Sequence, residues 1–249
     1  MSSKQTVLLV GGTGRTGRRV LEQLVSRGVG VRAIVRSPRG LAAGIAANPR
    51  VALIEASLLS LSDQDLQGHL RGCDAVVSCL GHVLDLRGIL GPPHDLVLRA
   101  VSRLCRALGA LRPANPARLV LMSSVSVHRP GGLDARRGAF ERAFLWALRG
   151  LLPPARDNQR AADFLHERIG PSNPFVQWVV VRPDTLLEGD VSEYTVHEGP
   201  VDGLFAPGHT SMANVAHFMC ELVTSPETWA TWSGKAPVVV DATAARRLG

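Results

Sequence analysis

The sequence predicts an α/β fold, a doubly wound parallel sheet with a small C-terminal lobe. Short, near-continuous apolar runs rich in valine, isoleucine and leucine recur over the first 181 residues and read as strands buried on both faces. Amphipathic stretches of helical period lie between them. A glycine cluster, Gly11-Gly12-Thr13-Gly14, follows the first apolar run directly. At 249 residues, 45% of them hydrophobic and 20% charged, the chain has enough apolar surface for one substantial core. That composition excludes a disordered chain, a collagen and a disulfide scaffold.

Residues 6–10 (TVLLV) form the first expected strand, being short, β-branched at its start and ended by glycine. A helix follows over 16–27, with Val20, Leu21, Leu24 and Val25 on one face and Gly28 as its stop. Residues 31–35 make the second strand. Residues 51–54 make the third, with a short helix from Ser62 after it. Residues 75–80 (AVVSCL) are the fourth, and a Gly/Pro-rich loop leads from them to a helix over 95–111. Residues 119–125 are the fifth strand and 176–181 (VQWVVV) the sixth. The pattern then loosens. Residues 183–210 carry glycine and proline repeatedly, Ser211 caps a helix over 212–223, and 238–240 is a late strand. Residues 1–182 thus read as the sheet domain and 183–249 as a small substrate-side lobe integrated with it.

Right-handed crossovers place the ligand crevice of such a sheet beyond the carboxyl ends of its strands. That rule singles out 11–17, 36–37, 55–58, 81–93, 123–128 and 182–186. Within 187–210, Gly189, Gly199, Pro200, Gly203, Pro207 and Gly208 accompany apolar Leu204 and Phe205, and this segment is expected to cover the crevice.

The net charge of +7 does not make a nucleic-acid surface. Lys4 and Lys235 are the only lysines among 28 basic residues, and the arginines are spread, with doublets at Arg18-Arg19, Arg136-Arg137 and Arg246-Arg247. Aromatic residues, at 4%, are too few for a base-stacking platform. Apolar runs fall short of the roughly 18 residues that span a bilayer, and the N-terminus has no signal-peptide pattern. Cys73, Cys79, Cys105 and Cys220 are scattered, so free thiols in a reducing cytoplasm are expected and no metal site is.

Gly11, Gly14 and Gly17 sit between a strand and a helix, each for its own reason. Gly11 permits the tight turn, Gly14 lets backbone approach a pyrophosphate, and Gly17 lets helix pack on strand. Thr13, Arg15 and Thr16 complete the loop, and the helix N-terminus offers N–H groups and partial positive charge to phosphates. At the end of the second strand, where an acid would hold the ribose hydroxyls of NAD, stands Arg36. A guanidinium pairs with a 2′-phosphate, whereas an acid repels it. The expected cofactor is therefore NADPH, with NADH the alternative.

Six segments together resemble the short-chain dehydrogenase/reductase superfamily. They are VLLVGGTGRTG (7–17), IVRSP (34–38), CDAVVSCLG (73–81), RLVLMSSVSV (118–127), VVVRPDTL (179–186) and TSMANVAHFM (210–219). The chain is similar to the superfamily's atypical NAD(P)H-binding members, the NmrA-like and biliverdin-reductase-B-like proteins. Met212 stands where arginine is usual. The resemblance implies cofactor contacts from Arg15 near the adenine ribose, from Ser57 and Leu58 after the third strand, and from Leu80 and Gly81 after the fourth. It also implies contacts from Pro183 in the RPxxL turn and from Gln159, which takes the place of a helix lysine. His82 is expected either to face the crevice or to be a surface imidazole.

The superfamily's usual proton donor, a tyrosine four residues before a lysine, is absent: Tyr194 is the only tyrosine and is followed by Thr195-Val196-His197-Glu198. No nucleophile elbow or zinc helix is present either. The candidate catalytic residues are those after the fifth strand. Ser124 is the best positional match to the superfamily's active-site serine, followed by Ser126, and His128 is the expected alternative proton source because an unperturbed imidazole has its pKa near working pH. The expected activity is an NADPH-dependent reduction of a carbonyl or conjugated acceptor on a small organic substrate. An NADP(H)-sensing regulator of the NmrA type, or a cofactor-binding isomerase or lyase, are the alternatives.

Overall fold

The computed structural model describes residues 5–82, 93–129, 134, 152–201 and 208–242. Strand β1 (Thr6–Val10) leads into α1 (Arg15–Ser26), then β2 (Gly30–Val35), the short α2 (Ala43–Ala46) and β3 (Val51–Glu55). Helix α3 (Asp63–Leu70), β4 (Ala75–Ser78), α4 (Leu96–Leu111) and β5 (Ala117–Met122) follow. After α5 (Pro153–Asp163), which continues as a π-helical turn over Phe164–Ile169, comes β6 (Val176–Pro183). The C-terminal part holds β7 (Thr185–Leu187), β8 (Tyr194–His197), β9 (His209–Ser211), α6 (Met212–Thr224), α7 (Pro226–Trp232) and β10 (Val238–Asp241).

Eight strands form one sheet in the order β3-β2-β1-β4-β5-β6-β10-β8. All neighbours are parallel except β8, which runs antiparallel to β10 at the edge. Order reverses between β1 and β4, so the switch-point crevice opens at the ends of those two strands. Alternate side chains feed two cores, one on each face of the sheet. Leu8, Val76, Leu119, Leu121 and Val180 pack with Leu66, Leu104 and Ala161 of α3, α4 and α5. Val7, Leu9, Val77, Val120 and Val179 pack with Leu21 and Leu24 of α1 and with Val215, Met219 and Trp229 of α6 and α7.

The local signals act as expected where they are short-range. Gly28 takes φ +79° and donates its N–H to Val25 while Val29 donates to Leu24, ending α1 in a left-handed cap. Ser62 accepts from Asp65 N at 3.0 Å and Ser211 from Asn214 N at 2.9 Å, opening α3 and α6.

Two features differ from the expectation. β5 ends at Met122 rather than 125, because the chain turns at the serines and Val127 N bonds back to Ser124 O. The segment 183–210 is not wholly irregular. Tyr194–His197 pairs with β10 and Thr185–Leu187 with His209–Ser211, pairings set by partners distant in sequence. Gly203, Leu204, Phe205 and Pro207, like the doublets Arg136-Arg137 and Arg246-Arg247, lie outside the described residues.

Three of the four thiols are buried and none is paired. Burial pushes Cys105 and Cys220 up to about 12, so they are inert core residues. Among the described residues no helix is long and apolar enough to cross a membrane, and no cluster of potential metal ligands is found.

Candidate functional site

Between β1 and α1 the glycine loop is shaped by contacts that exclude side chains. Gly11 has φ +78°, and a Cβ there would lie 2.6 Å from the Cys79 carbonyl carbon of the neighbouring strand end. A Cβ on Gly17 would lie 2.1 Å from Gly11 O; helix and loop touch through backbone. Gly14 differs. Its hypothetical Cβ meets Gly11 O at 3.2 Å and nothing else within 4 Å, so what Gly14 spares is the space outside the loop. It is the N-cap of α1 and no side chain caps that helix. Thr13, Gly14 and Arg15 are exposed, whereas Thr16 and Gly17 are buried. The uncapped N–H groups of the first turn thus face open space beside a glycine surface, and these residues fit a pyrophosphate.

Arg36 follows β2 directly, is exposed, and has no hydrogen bond or ion pair among the described residues. Arg15 does not share that freedom. Its Nε and a guanidinium nitrogen each lie 3.3 Å from Glu188 Oε1, in an ion pair open to solvent. Arg19 pairs with the other oxygen of the same carboxylate. Glu188, just after β7, therefore straps the C-terminal part to α1.

Ser57 is half-buried and its carbonyl accepts from Ser60 N at 3.0 Å and Leu61 N at 3.3 Å. The Leu58 side chain is in the core and its carbonyl accepts from Arg103. Leu80 packs against the core. Gly81 is exposed, with open space where its side chain would be. His82 is not a surface imidazole. Its side chain is 5% exposed, and Nε2 lies 2.8 Å from Oδ2 of the buried Asp157. Asp157, on α5, also accepts from Val97 N at 2.7 Å and Leu98 N at 3.0 Å, capping α4 from another helix.

Beyond β5, the Ser126 N–H and hydroxyl each lie 3.2 Å from Ser124 Oγ. The structure thus brings the two candidate serines together. His128 is held at its backbone: its N–H donates to Gln159 Oε1 at 2.8 Å and its carbonyl accepts from Gln159 Nε2 at 2.9 Å. The second Gln159 hydrogen goes to Asp163 Oδ1 at 2.8 Å. Gln159 thus fastens the loop after β5 to α5 through the His128 backbone and braces itself on Asp163 within the helix.

A buried ion pair underlies the same loop. Arg182, fully buried, donates to Asp134 Oδ2 at 2.9 Å and to the carbonyls of Val127, Ala236 and Glu198. Asp134 also receives Arg129 N at 2.8 Å and Nε at 2.9 Å. Burial works against its charge, but the Arg182 charge and these hydrogen bonds outweigh it and hold the carboxyl below the usual carboxylate range. His128 Nδ1 lies 3.6 Å from Asp134 Oδ2. Pro183 is buried and its carbonyl accepts from Val125 N at 3.0 Å, tying β6 to the serine loop.

Sequence reasoning missed Asp134, Asp157 and Glu188. Only the RPD run, which ends β6 in a buried Arg182, hinted that a buried acid is needed elsewhere. A cavity of about 190 Å³ is lined by Val127, His128, Asp163, His166, Trp178 and Lys235 among others. A wider groove of about 770 Å³ lies at the amino ends of the strands, beside Asp74, Arg118 and Trp229, away from the glycine loop.

A parallel sheet with a glycine-lined, uncapped helix start at its switch point defines a dinucleotide-binding protein. The chain belongs to the NAD(P)H-binding family, whose model matches residues 11–226. No curated protein matches the sequence. Among solved structures, the chain is similar in fold to a protein from Lactobacillus casei (TM-score 0.68, 22% identity, covering 96% of this chain and 100% of that one). It is likewise similar to a short-chain dehydrogenase/reductase from Veillonella parvula in complex with NADP (TM-score 0.67, 14% identity, 96% of each chain). A third is the anaerobillin reductase of Escherichia coli (TM-score 0.64, 16% identity, 96% of this chain and 98% of that one).

Proposed function

We propose that the protein is an NADPH-dependent reductase that transfers hydride to a carbonyl or conjugated acceptor on a small organic substrate. The observation that carries the cofactor preference is Arg36, exposed and unpaired among the described residues at the position that meets the adenosine 2′ substituent. The bound nicotinamide supplies hydride. The glycine loop and the first turn of α1 bind the pyrophosphate, Gly81 offers open backbone beside the ribose, and the Ser124–Ser126 hydroxyl pair orients the acceptor oxygen. Residues 1–182 provide the cofactor half and 183–249 the substrate side. Four unpaired thiols suit a reducing cytoplasm.

One observation favours a second reading, an NADP(H)-sensing regulator. Tyr194 is on edge strand β8, hydrogen-bonded to His217 Nδ1 at 2.8 Å, and the described residues of α5 hold no tyrosine or lysine, so the superfamily's usual acid is missing. Incubation of the purified protein with NADPH and a panel of quinones, flavins, biliverdin and polyketide-like ketones tests the choice. Acceptor-dependent loss of reduced-nicotinamide absorbance supports the reductase. Tight NADPH binding without turnover of any acceptor supports the regulator.

A further inference from the structure

A reduction of this kind needs a proton as well as a hydride, so a role for any proton donor rests on the reductase reading. A proton-bearing arrangement different from the serines and His128 stands at the end of β4. His82 Nε2 donates to Asp157 Oδ2 at 2.8 Å. The carboxylate is wholly buried and is held in place by Val97 N and Leu98 N of α4. It cannot swing without uncapping that helix. The imidazole is thereby fixed in one orientation and one tautomer, with Nδ1 left over, and that atom has no hydrogen bond among the described residues. A histidine oriented by a buried acid is how a fold presents an acid–base group.

A second observation points to the same place. Ser78 Oγ and Ser123 Oγ are buried and have no hydrogen-bond partner among the described residues. Ser78 pairs in register with Leu121 and so shares its face of the sheet, and Ser123 follows the end of β5 directly, its N–H donating to Val181 O. Val76, Leu119 and Leu121 place that face against α4 and α5, the side from which Asp157 reaches His82. Unpartnered buried hydroxyls mark where a further polar atom completes the structure. Ser123, 8% exposed, is the one nearer solvent.

We propose that His82, oriented by Asp157, is the general acid of the reduction, with the Ser123 hydroxyl relaying its proton to the acceptor oxygen. As hydride reaches the acceptor carbon with its electron pair, the carbon–oxygen π pair moves onto oxygen. That oxygen takes the Ser123 proton while Ser123 takes the proton from Nδ1–H of the His82 imidazolium. His82 ends neutral and is recharged from solvent. The acceptor gains two electrons, the nicotinamide loses two, and one solvent proton is consumed.

The test compares wild type with His82→Gln and Ser123→Ala. His82→Gln is expected to bind NADPH within about two-fold of wild type and to lose about 100-fold or more in turnover of the best acceptor. The limb of the pH–rate profile set by the imidazole should vanish. Among the described residues the ionisable group in contact with His82 is Asp157; α4 faces it with backbone N–H groups, its Asp95 and Arg99 paired outside at 3.7 Å, and the end of β5 offers serines. Ser123→Ala should lose about 10-fold. A readout independent of turnover is the ring-nitrogen NMR spectrum of wild type bound to NADP⁺. Neutral His82 protonated on Nε2, with Nδ1 titrating, supports the assignment. An Nδ1–H tautomer, or His82→Gln turning over within a few-fold of wild type with an unchanged pH profile, overturns it while leaving the reductase reading intact. Wild type that binds NADPH and reduces no acceptor overturns both. If His82→Gln does not fold, the wild-type tautomer decides.

Discussion

Gly14 and Gly17 are three residues apart in one loop, yet substituting alanine at each should do opposite things. At position 17 the new Cβ would stand 2.1 Å from Gly11 O and 3.2 Å from Cys79 Cβ. The first neighbour is backbone of Gly11, itself packed so closely on the β4 end that its own Cβ would lie 2.6 Å from the Cys79 carbonyl, so α1 must move outward by about 1 Å. Overpacking of that kind costs about 1–3 kcal/mol, and at about 2–4 °C per kcal/mol for a chain of this size the Tm should fall by about 2–12 °C. At position 14 the single contact is Gly11 O at 3.2 Å, which a slight shift relieves, and Tm should stay within about 2 °C of wild type. The methyl group instead fills the space the pyrophosphate approaches. Loss of one charge-assisted hydrogen bond there, about 1.5–3 kcal/mol, raises the NADPH Kd about 10- to 150-fold. Thermal melts followed by circular dichroism and NADPH titrations followed by fluorescence read the two effects separately. Unchanged NADPH affinity in Gly14→Ala, beside an unchanged melt in Gly17→Ala, would refute this division of labour.

Arg36→Ala should weaken NADPH about 10-fold and leave NADH unchanged, as measured by parallel titrations; equal weakening of both would remove the 2′-phosphate from its role. Asp134→Ala strands a buried guanidinium, which costs about 3–5 kcal/mol, and the melt should fall accordingly, whereas a loss under about 1 kcal/mol would mean that the Arg182 cluster reorganises. Because the Asp134 carboxyl is held below its ordinary range in the folded protein, its contribution to stability is present above about pH 4 and lost as pH falls through the lower folded value; Asp134→Ala should flatten the acid limb of a stability–pH curve. Tyr194→Phe should leave turnover within a few-fold of wild type, since the hydroxyl faces His217 on the α6 side, and should cost about 0.5–1.5 kcal/mol in chemical denaturation. His217 itself is held below its ordinary value by burial and by Arg27, so the stability it confers is present above about pH 6.5 and declines as pH falls below that; a melt insensitive to pH between 5 and 7, roughly the window of an ordinary histidine, would contradict the neutral His217 acceptor.

The parts of this fold legible in the sequence are those whose signals are local. Strands buried on both faces announce themselves as apolar runs, and Gly28, Ser62 and Ser211 act within four residues of the helix ends they define. β8 is not legible, because Tyr194–His197 is half-buried along its length and becomes a strand only through β10, which arrives over forty residues later in the chain. The candidate site divides the same way. The glycine loop is contiguous and readable as a unit. The fastening role of Gln159 is not legible, because its partner His128 is 31 residues away. Asp157 caps a helix 60 residues before it, and no spacing rule connects the two.

These long-range contacts share a consequence for how the crevice keeps its shape. The chain after β5 is fastened at three points: to β6 through Val125 N and the Pro183 carbonyl, to α5 through the Gln159 amide, and to the sheet beneath through Asp134 and Arg182. The loop after β4 is fastened to α5 as well, through His82 and Asp157. Helix α5 thus holds both loops that flank the expected nicotinamide position. Its polar residues Asp157 and Gln159 fix the side chain of His82 and the backbone of His128, and such positioning is worth several kcal/mol of barrier in an enzyme. The phosphate end is organised on the opposite principle. There the contacts are bare backbone and exposed arginine, open to an incoming anion, with Glu188 the single acid drawn against Arg15 and Arg19. A rigid end for the chemistry and an open, charge-bearing end for capture are what a protein needs to take up an anionic cofactor and hold its reactive ring still.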